Sequence, residues 1–234
     1  MQEYRSLPSD VVAETSLELT AAQQGVWYGQ LVDPDSPKYN VGECFEIQGD
    51  LDEELFAAAF GRAVSLCDSL NLRFVTDGEE VRQHVVDRPA VDAGRLHTAD
   101  LSGAADPVAA AEDYMAGDMS TVDRLDAPRH HFALLRLGSR LHYWYVRFHH
   151  IAVDGLGGAV FGRAVADLYG RAARGEDLAT AEPAAAPLRD LVADEAAYRL
   201  SDRYEADRAY WTAKFADLAG AGTTGAGDDT RARG

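Results

Sequence analysis

The sequence predicts an α/β fold, a mixed β-sheet with helices packed against it. Three observations carry that expectation: alternation from Val41 to Gln48, paired strand-like runs joined by turn residues, and helical spacing of apolar side chains in several longer runs. With 234 residues, 47% of them apolar, the chain can bury a real core as one large domain or two small ones.

Thr20 stands as N-cap before a short helix, Ala21 to Leu31, in which Ala22/Val26 and Trp27/Leu31 stack at i,i+4. Val41 to Gln48 is a half-buried strand with Phe45 and Ile47 on one side and Cys44, Glu46 and Gln48 on the other; Gly49-Asp50 ends it. A helix follows from Leu51 to Leu66, with Leu55, Ala58, Ala59, Ala63 and Leu66 on its apolar face and Asp50 or Asp52 as cap. Leu70 to Val75 and Val81 to Val86 form a hairpin around Asp77-Gly78. Asp106 to Met115 is helical. A second hairpin joins His131 to Leu137 and Leu141 to His149 across Gly138-Ser139. Gly157 to Ala173 is a helix with Val160, Phe161, Ala164, Val165 and Leu168 on one side. An Ala/Pro-rich link, Thr180 to Pro187, leads to helical segments Leu188 to Tyr198 and Ser201 to Leu218.

Acidic residues outnumber basic ones by 39 to 22, which argues against nucleic acid or an anionic membrane as a partner held by bulk charge. Cys44 and Cys67 have neither CxxC spacing nor a neighbouring His, the pattern of a reduced, cytoplasmic protein. Residues 1–16 form a polar lead without the apolar core of a signal peptide, and no apolar run has the length of a membrane span.

The chemistry is expected at His149-His150-Ile151-Ala152-Val153-Asp154-Gly155, which joins a strand directly to a helix. Adjacent strand residues point to opposite sides, so one histidine faces a cleft while the other packs inward. An imidazole there can take a proton from an attacking amine or hydroxyl near neutral pH. Asp154 would orient the loop through an ion pair or backbone hydrogen bonds, and Gly155 would permit a tight turn with an accessible N–H. A His-His pair alone is more often structural than catalytic; the full HHxxxDG spacing is far more specific.

With that motif, the sequence resembles the condensation domains of nonribosomal peptide synthetases, secondary-metabolite enzymes in the superfamily of chloramphenicol acetyltransferase. Leu19-Thr20-Ala21-Ala22-Gln23-Gln24-Gly25-Val26-Trp27 resembles the family's opening motif. Leu66 to Phe74, the aromatic run Tyr143 to Phe148, and Ala209 to Phe215 also match, so the likeness spans residues 17–218. The aromatic run is nearest in style to siderophore synthetases of the enterobactin type. The resemblance implies the N-terminal lobe of such a domain, residues 17–218, with a chloramphenicol acetyltransferase-like fold, and a flexible linker or truncated end at 219–234. It places the catalytic histidine at His150, a mainly structural one at His149, and the motif acid and glycine at Asp154 and Gly155.

It also implies amide bond formation between an acyl or peptidyl donor and an aminoacyl acceptor, both delivered on phosphopantetheine arms of carrier proteins, with no cofactor bound by the lobe. Further implied partners are the C-terminal lobe, which closes the substrate tunnel, and an adjacent adenylation domain. Coenzyme A-dependent acyl transfer and a non-catalytic carrier-docking lobe are the alternatives.

The sequence departs from the family's pattern at three places. Leu66-Cys67 stands where the family has Arg-His. Asn71 stands where it has an arginine that pairs with the motif aspartate, leaving Arg73 as the substitute partner of Asp154. Gly157 stands where Ser is common. Outside the motif, His130-His131 with His142 or His149 is a weak metal candidate lacking a carboxylate or Cys at useful spacing. Trp27, Trp144 and Trp211 read as core or interface residues. Arg129, Arg136, Arg140 and Arg147 read as solvated strand-face residues or contacts for a pantetheine phosphate.

Overall fold

The computed structural model describes residues 16–77, 80–86, 96–123, 125 and 130–216. It divides into two compact units, Met1–Val192 and Ala193–Gly234. The polar lead and the 219–234 tail, like Gly78 and Arg129, lie outside the described residues apart from Ser16.

In the first unit the described strands make two sheets. β1 (Ser16–Glu18), β4 (Glu80–Val85) and β3 (Leu72–Asp77) form an antiparallel sheet in the order β1-β4-β3. β2 (Asn40–Gln48), β7 (Leu141–His149), β6 (His131–Gly138) and β5 (Leu96–Asp100) form a mixed sheet in the order β2-β7-β6-β5, in which β5 runs parallel to β6. The parallel pair requires a crossover, and α3 (Pro107–Met119) supplies it. Neither β1 nor β5 was expected from sequence. β5 is short, Leu-His-Thr-Ala-Asp, and is held by its register against β6 rather than by a pattern of its own.

The mixed sheet is covered on both faces. Phe132 and Leu134 of β6 and Trp144, Val146 and Phe148 of β7 pack against Phe56 and Phe60 of α2 (Glu53–Ser65) and Phe161, Val165 and Leu168 of α4 (Gly155–Ala173). The alternate residues Ala133, Leu135, Leu137 and Tyr145 meet α3 through Ala111. Each fully buried Phe or Leu contributes about 1.5–3 kcal/mol. A third cluster joins Leu19, Trp27 of α1 (Ala21–Val32), Leu72 and Phe74 of β3, Ile151 and Leu188.

Several expected details are corrected. α1 buries Gln23, Trp27 and Gln30 rather than the Trp27/Leu31 pair, because that face meets a polar network. α2 is capped by Asp52 and buries Phe56, Ala59, Phe60, Ala63 and Val64; Ala58 is exposed. Leu70 and Asn71 belong to a 3-10 turn, Asp68–Asn71, not to β3. Asn71 Nδ2 donates to the carbonyls of Val64 and Cys67, both at 3.0 Å, completing the open end of α2 and turning the chain before the strand begins. Gly138 pairs with Leu141, so the second hairpin turns at Ser139-Arg140.

The second unit contains most of α5 (Leu188–Arg199), which starts in the first, and α6 (Asp202–Phe215), capped by Ser201. Tyr198 donates to Asp207 at 2.8 Å and packs edge-on to Tyr204. Trp211 is 54% exposed, unlike Trp27 and Trp144, and is not a core residue of the described structure.

Candidate active site

β7 ends at the motif. Phe148 enters the core below α2 and α4, whereas Arg147 and His149, by strand alternation, share the α3 side. His149 is buried, and its Nδ1 accepts the amide of Ile151 at 3.2 Å. Burial, then the nearby Arg147 guanidinium and His150, push its pKa down to about 4, so it is neutral at pH 7. Beyond it, His150 to Ala152 form a turn in which Ala152 N–H donates to the His149 carbonyl at 2.9 Å.

The side chain of His150 is exposed and its ring has no hydrogen-bond partner among the described residues. Its backbone, by contrast, is fixed, for its N–H donates to the Tyr39 carbonyl at 2.8 Å. Ile151 inserts into the cluster shared with Trp27 and Phe74, and Val153 into the main core, so the motif loop is pinned to two apolar clusters on either side.

Asp154 has no ion pair with Arg73 or any other described residue. It is the N-cap of α4, its Oδ1 accepting the Gly157 amide at 2.7 Å. The expected substitute pairing with Arg73 is therefore corrected: Asn71 lies in the turn before β3, so the shared strand face on which that pairing rested does not exist. Gly155 is the first residue of α4 and does not adopt a left-handed φ, so the tight-turn role expected of it is also corrected. A Cβ at Gly155 would meet nothing within 4 Å. The amides of Gly155 and Leu156, at the positive end of the helix, have no acceptor among the described residues.

A cavity of about 940 Å³ opens beside the motif. His150 and Asp154 line it, as do Val153, Leu156, Phe161 and Leu168, while Gly155 does not. Its outer wall is the Ala/Pro-rich segment 181–187, stretched between two anchors. Arg62 donates to the carbonyls of Leu178, Ala179 and Ala181, and Asp68 accepts the Leu188 amide at 3.0 Å. What sequence presented as a plain link is a wall of the site.

Other candidates take structural partners. Arg147 is buried and donates to Asp118 at 2.7 Å and to Asp123 at 2.8 Å, so it is neither solvated nor open to a phosphate. Arg136 pairs with Glu53, and Arg140 with Asp50. His131 bonds the Tyr114 hydroxyl and His142 bonds Glu53. No group of three or more His, Cys, Asp or Glu side chains suited to a metal ion gathers among the described residues. No helix among them is long and apolar enough to cross a membrane.

Sequence reasoning missed three residues around the motif: Tyr39, Gln83 and Arg62. Tyr39 and Arg62 act there through a main-chain carbonyl and a long reach to another segment. Gln83 looks like any polar residue of a hairpin strand, yet it is wholly buried.

The sequence model of the family described as Condensation domain matches residues 13–221. The chain belongs to the condensation-domain family. An isonitrile lipopeptide synthase of Streptomyces coeruleorubidus is 42% identical over 200 residues, covering 85% of this chain and 13% of the synthase. Enterobactin synthase component F of Escherichia coli O157:H7 is 30% identical over 197 residues, covering 83% of this chain and 15% of that protein. A siderophore synthetase is thus among the relatives, as the aromatic run suggested. Among solved structures, a variant of the starter condensation domain of rhizomide synthetase in complex with C8-CoA superposes with a TM-score of 0.78 at 32% identity, covering 86% of this chain and 46% of that one. The fold is therefore that of the chloramphenicol acetyltransferase-like condensation domains, and the chain spans less than half of that solved domain.

Proposed function

We propose that this chain is the histidine-bearing N-terminal lobe, residues 17–218, of a condensation domain that joins a carrier-bound acyl or peptidyl thioester to a carrier-bound amino acid. The observation that carries this reading is His150: a partnerless, exposed imidazole on an immobilised backbone, at the mouth of a cavity and close in sequence to the free amides that open α4. The acceptor amine attacks the donor carbonyl, a C–N bond forms and the C–S bond breaks. His150 takes the proton lost by the amine and returns it to the departing pantetheine sulfur. The Gly155 and Leu156 amides favour negative charge developing on the carbonyl oxygen. Asp154 starts the helix that presents those amides. Both arms are supplied by peptidyl carrier proteins in the cytoplasm, an adenylation domain loads the acceptor, and a C-terminal lobe completes the tunnel.

The experiment pairs carrier-bound donor and acceptor with the complete condensation domain and follows both carriers by intact-protein mass spectrometry. His150→Ala is expected to abolish transfer without changing carrier binding. Turnover that survives this substitution overturns the assignment.

A second reading concerns the donor. The cavity beside His150 is walled by Val153, Leu156, Val160, Phe161 and Leu168, which suits an aliphatic acyl chain better than a polar peptide. The similar rhizomide starter domain was solved with C8-CoA. Transfer from a medium-chain acyl-coenzyme A in the absence of a donor carrier supports it; strict dependence on a peptidyl carrier removes it.

A further inference from the structure

Two glutamines remote in sequence from the motif meet behind it. Gln23 Nε2 donates to Gln83 Oε1 at 2.8 Å and Gln83 Nε2 donates to Gln23 Oε1 at 2.8 Å, a cyclic amide pair. Gln23 is buried and Gln83 has no exposed surface. Gln83 Nε2 also donates to the Glu18 carbonyl at 2.8 Å, and Gln23 Oε1 accepts from Thr20 N–H at 3.0 Å. The remaining donor of Gln23 goes to the carbonyl of Ile151 at 3.2 Å. Both donors of each amide are therefore used, and the pair ties α1, β1 and β4 to the residue after His150.

We infer that the Gln23–Gln83 pair is a positioning element for His150, acting through the Ile151 carbonyl. The backbone around the imidazole is held at three successive groups: His150 N–H by the Tyr39 carbonyl, Ile151 N–H by His149 Nδ1, and Ile151 C=O by Gln23. Only the last of these is made by a side chain from outside the β2/β7 end of the mixed sheet. It comes from the other sheet's layer and registers that layer against the site. The His150 ring has no hydrogen bond of its own, so its direction depends on this backbone. Misplacement of a reacting group by about 1 Å can cost on the order of a hundredfold in rate.

A structural role and a positioning role separate in a double variant. Replacing both members of a buried hydrogen-bonded pair by apolar groups of similar shape can be nearly neutral for stability, whereas replacing one strands its partner. Gln23→Met and Gln83→Met are each expected to lower the urea midpoint, and the double variant Gln23→Met/Gln83→Met to lose less than the sum of the two, because neither amide is left facing an apolar partner although the Glu18 and Ile151 carbonyls and the Thr20 N–H lose their bonds. If the pair positions His150, the double variant still lacks the bond to Ile151. In the complete domain its kcat stays roughly ten- to a hundredfold low with KM little changed. In the chain alone, amide exchange at His150 to Val153 speeds at least tenfold while β7 stays protected. A double variant that keeps wild-type kcat, or that keeps wild-type exchange in the loop, overturns the inference. This inference rests on the catalytic reading of His150, yet the exchange measurement does not. A wild-type domain without condensation activity defeats that reading, while loop exchange still decides whether the pair holds the turn.

Discussion

Nδ1 of His149 accepts the backbone N–H of Ile151, so the turn that presents His150 requires a neutral imidazole one residue earlier. His149 is held to a pKa of about 4, chiefly by burial, and His130, fully buried beside Phe132 and Phe148, to about 3 for the same reason. Both values lie below the ordinary histidine value of about 6.5 in the unfolded chain. Between those limits the unfolded state binds more protons, so stability rises with pH there. The contribution is complete above about pH 6.5 and is lost as pH falls through about 4 and then 3. Urea midpoints measured from pH 7 to 4 are expected to decline by the equivalent of a few kcal/mol, and His130→Phe to make that decline shallower. A flat profile for the wild-type chain would show that neither ring is neutralised by folding.

Asp154 acts as a helix cap, and this separates two of its possible substitutions. Asp154→Ala removes the acceptor for Gly157 N–H and is expected to cost about 1 kcal/mol. Asp154→Asn retains an oxygen in the same place and is expected to keep most of the stability and most of the condensation rate. Thermal unfolding and rate assays on both variants check this. An Asn variant as damaged as the Ala variant would mean that the charge, not the cap, is what matters.

The behaviour of Asp154 also marks the limit of what the sequence disclosed. The mixed sheet, the strand-loop-helix at the motif, the Thr20 cap and the alternation along β2 were all legible, because each is written in local periodicity or capping chemistry. The family motif also singles out His150 as the candidate. What escaped were contacts set by the fold. Asn71, between apolar neighbours, has the sequence of a strand residue, yet its side chain serves the carbonyl end of α2. Arg147 looked like a solvated arginine because its two carboxylate partners come from α3 and the loop after it, far off in sequence. Gln83 gave no signal at all, since one polar residue within a strand-like run reads as its wet face.

The ion pairs of Arg147 are desolvated on both sides, with side-chain exposures of 4% for Arg147, 14% for Asp118 and 1% for Asp123. Removing one partner of such a group leaves buried charge uncompensated and costs about 3–5 kcal/mol. Arg147→Met is expected to lower stability by that order in urea unfolding, far more than Arg140→Met, whose partner Asp50 is exposed. Equal effects of the two would place Arg147 in water rather than in the interior.

α4 approaches β2 through two glycines one helical turn apart. A Cβ at Gly158 would lie 3.0 Å from Glu43 Oε1, the movable end of a half-buried side chain, whereas one at Gly162 would lie 3.1 Å from the Phe45 ring, itself stacked on Trp144. The second contact has less room to give. Gly158→Ala is expected to be nearly neutral, the better helix propensity of Ala offsetting a small shift of Glu43. Gly162→Leu overpacks the helix against the sheet and is expected to cost about 1–3 kcal/mol. Phe45→Ala on its own leaves a gap and also destabilises, but in the Gly162→Leu background it makes room for the new side chain. The double variant is therefore expected to be more stable than the sum of the single effects predicts, with a coupling of about 0.5–3 kcal/mol. Additive effects in urea unfolding would show that α4 does not bear on β2 at Gly162. α4 also carries Leu156, Phe161 and Leu168 into the cavity wall, so the same variants should alter acyl-donor preference only where they shift the helix.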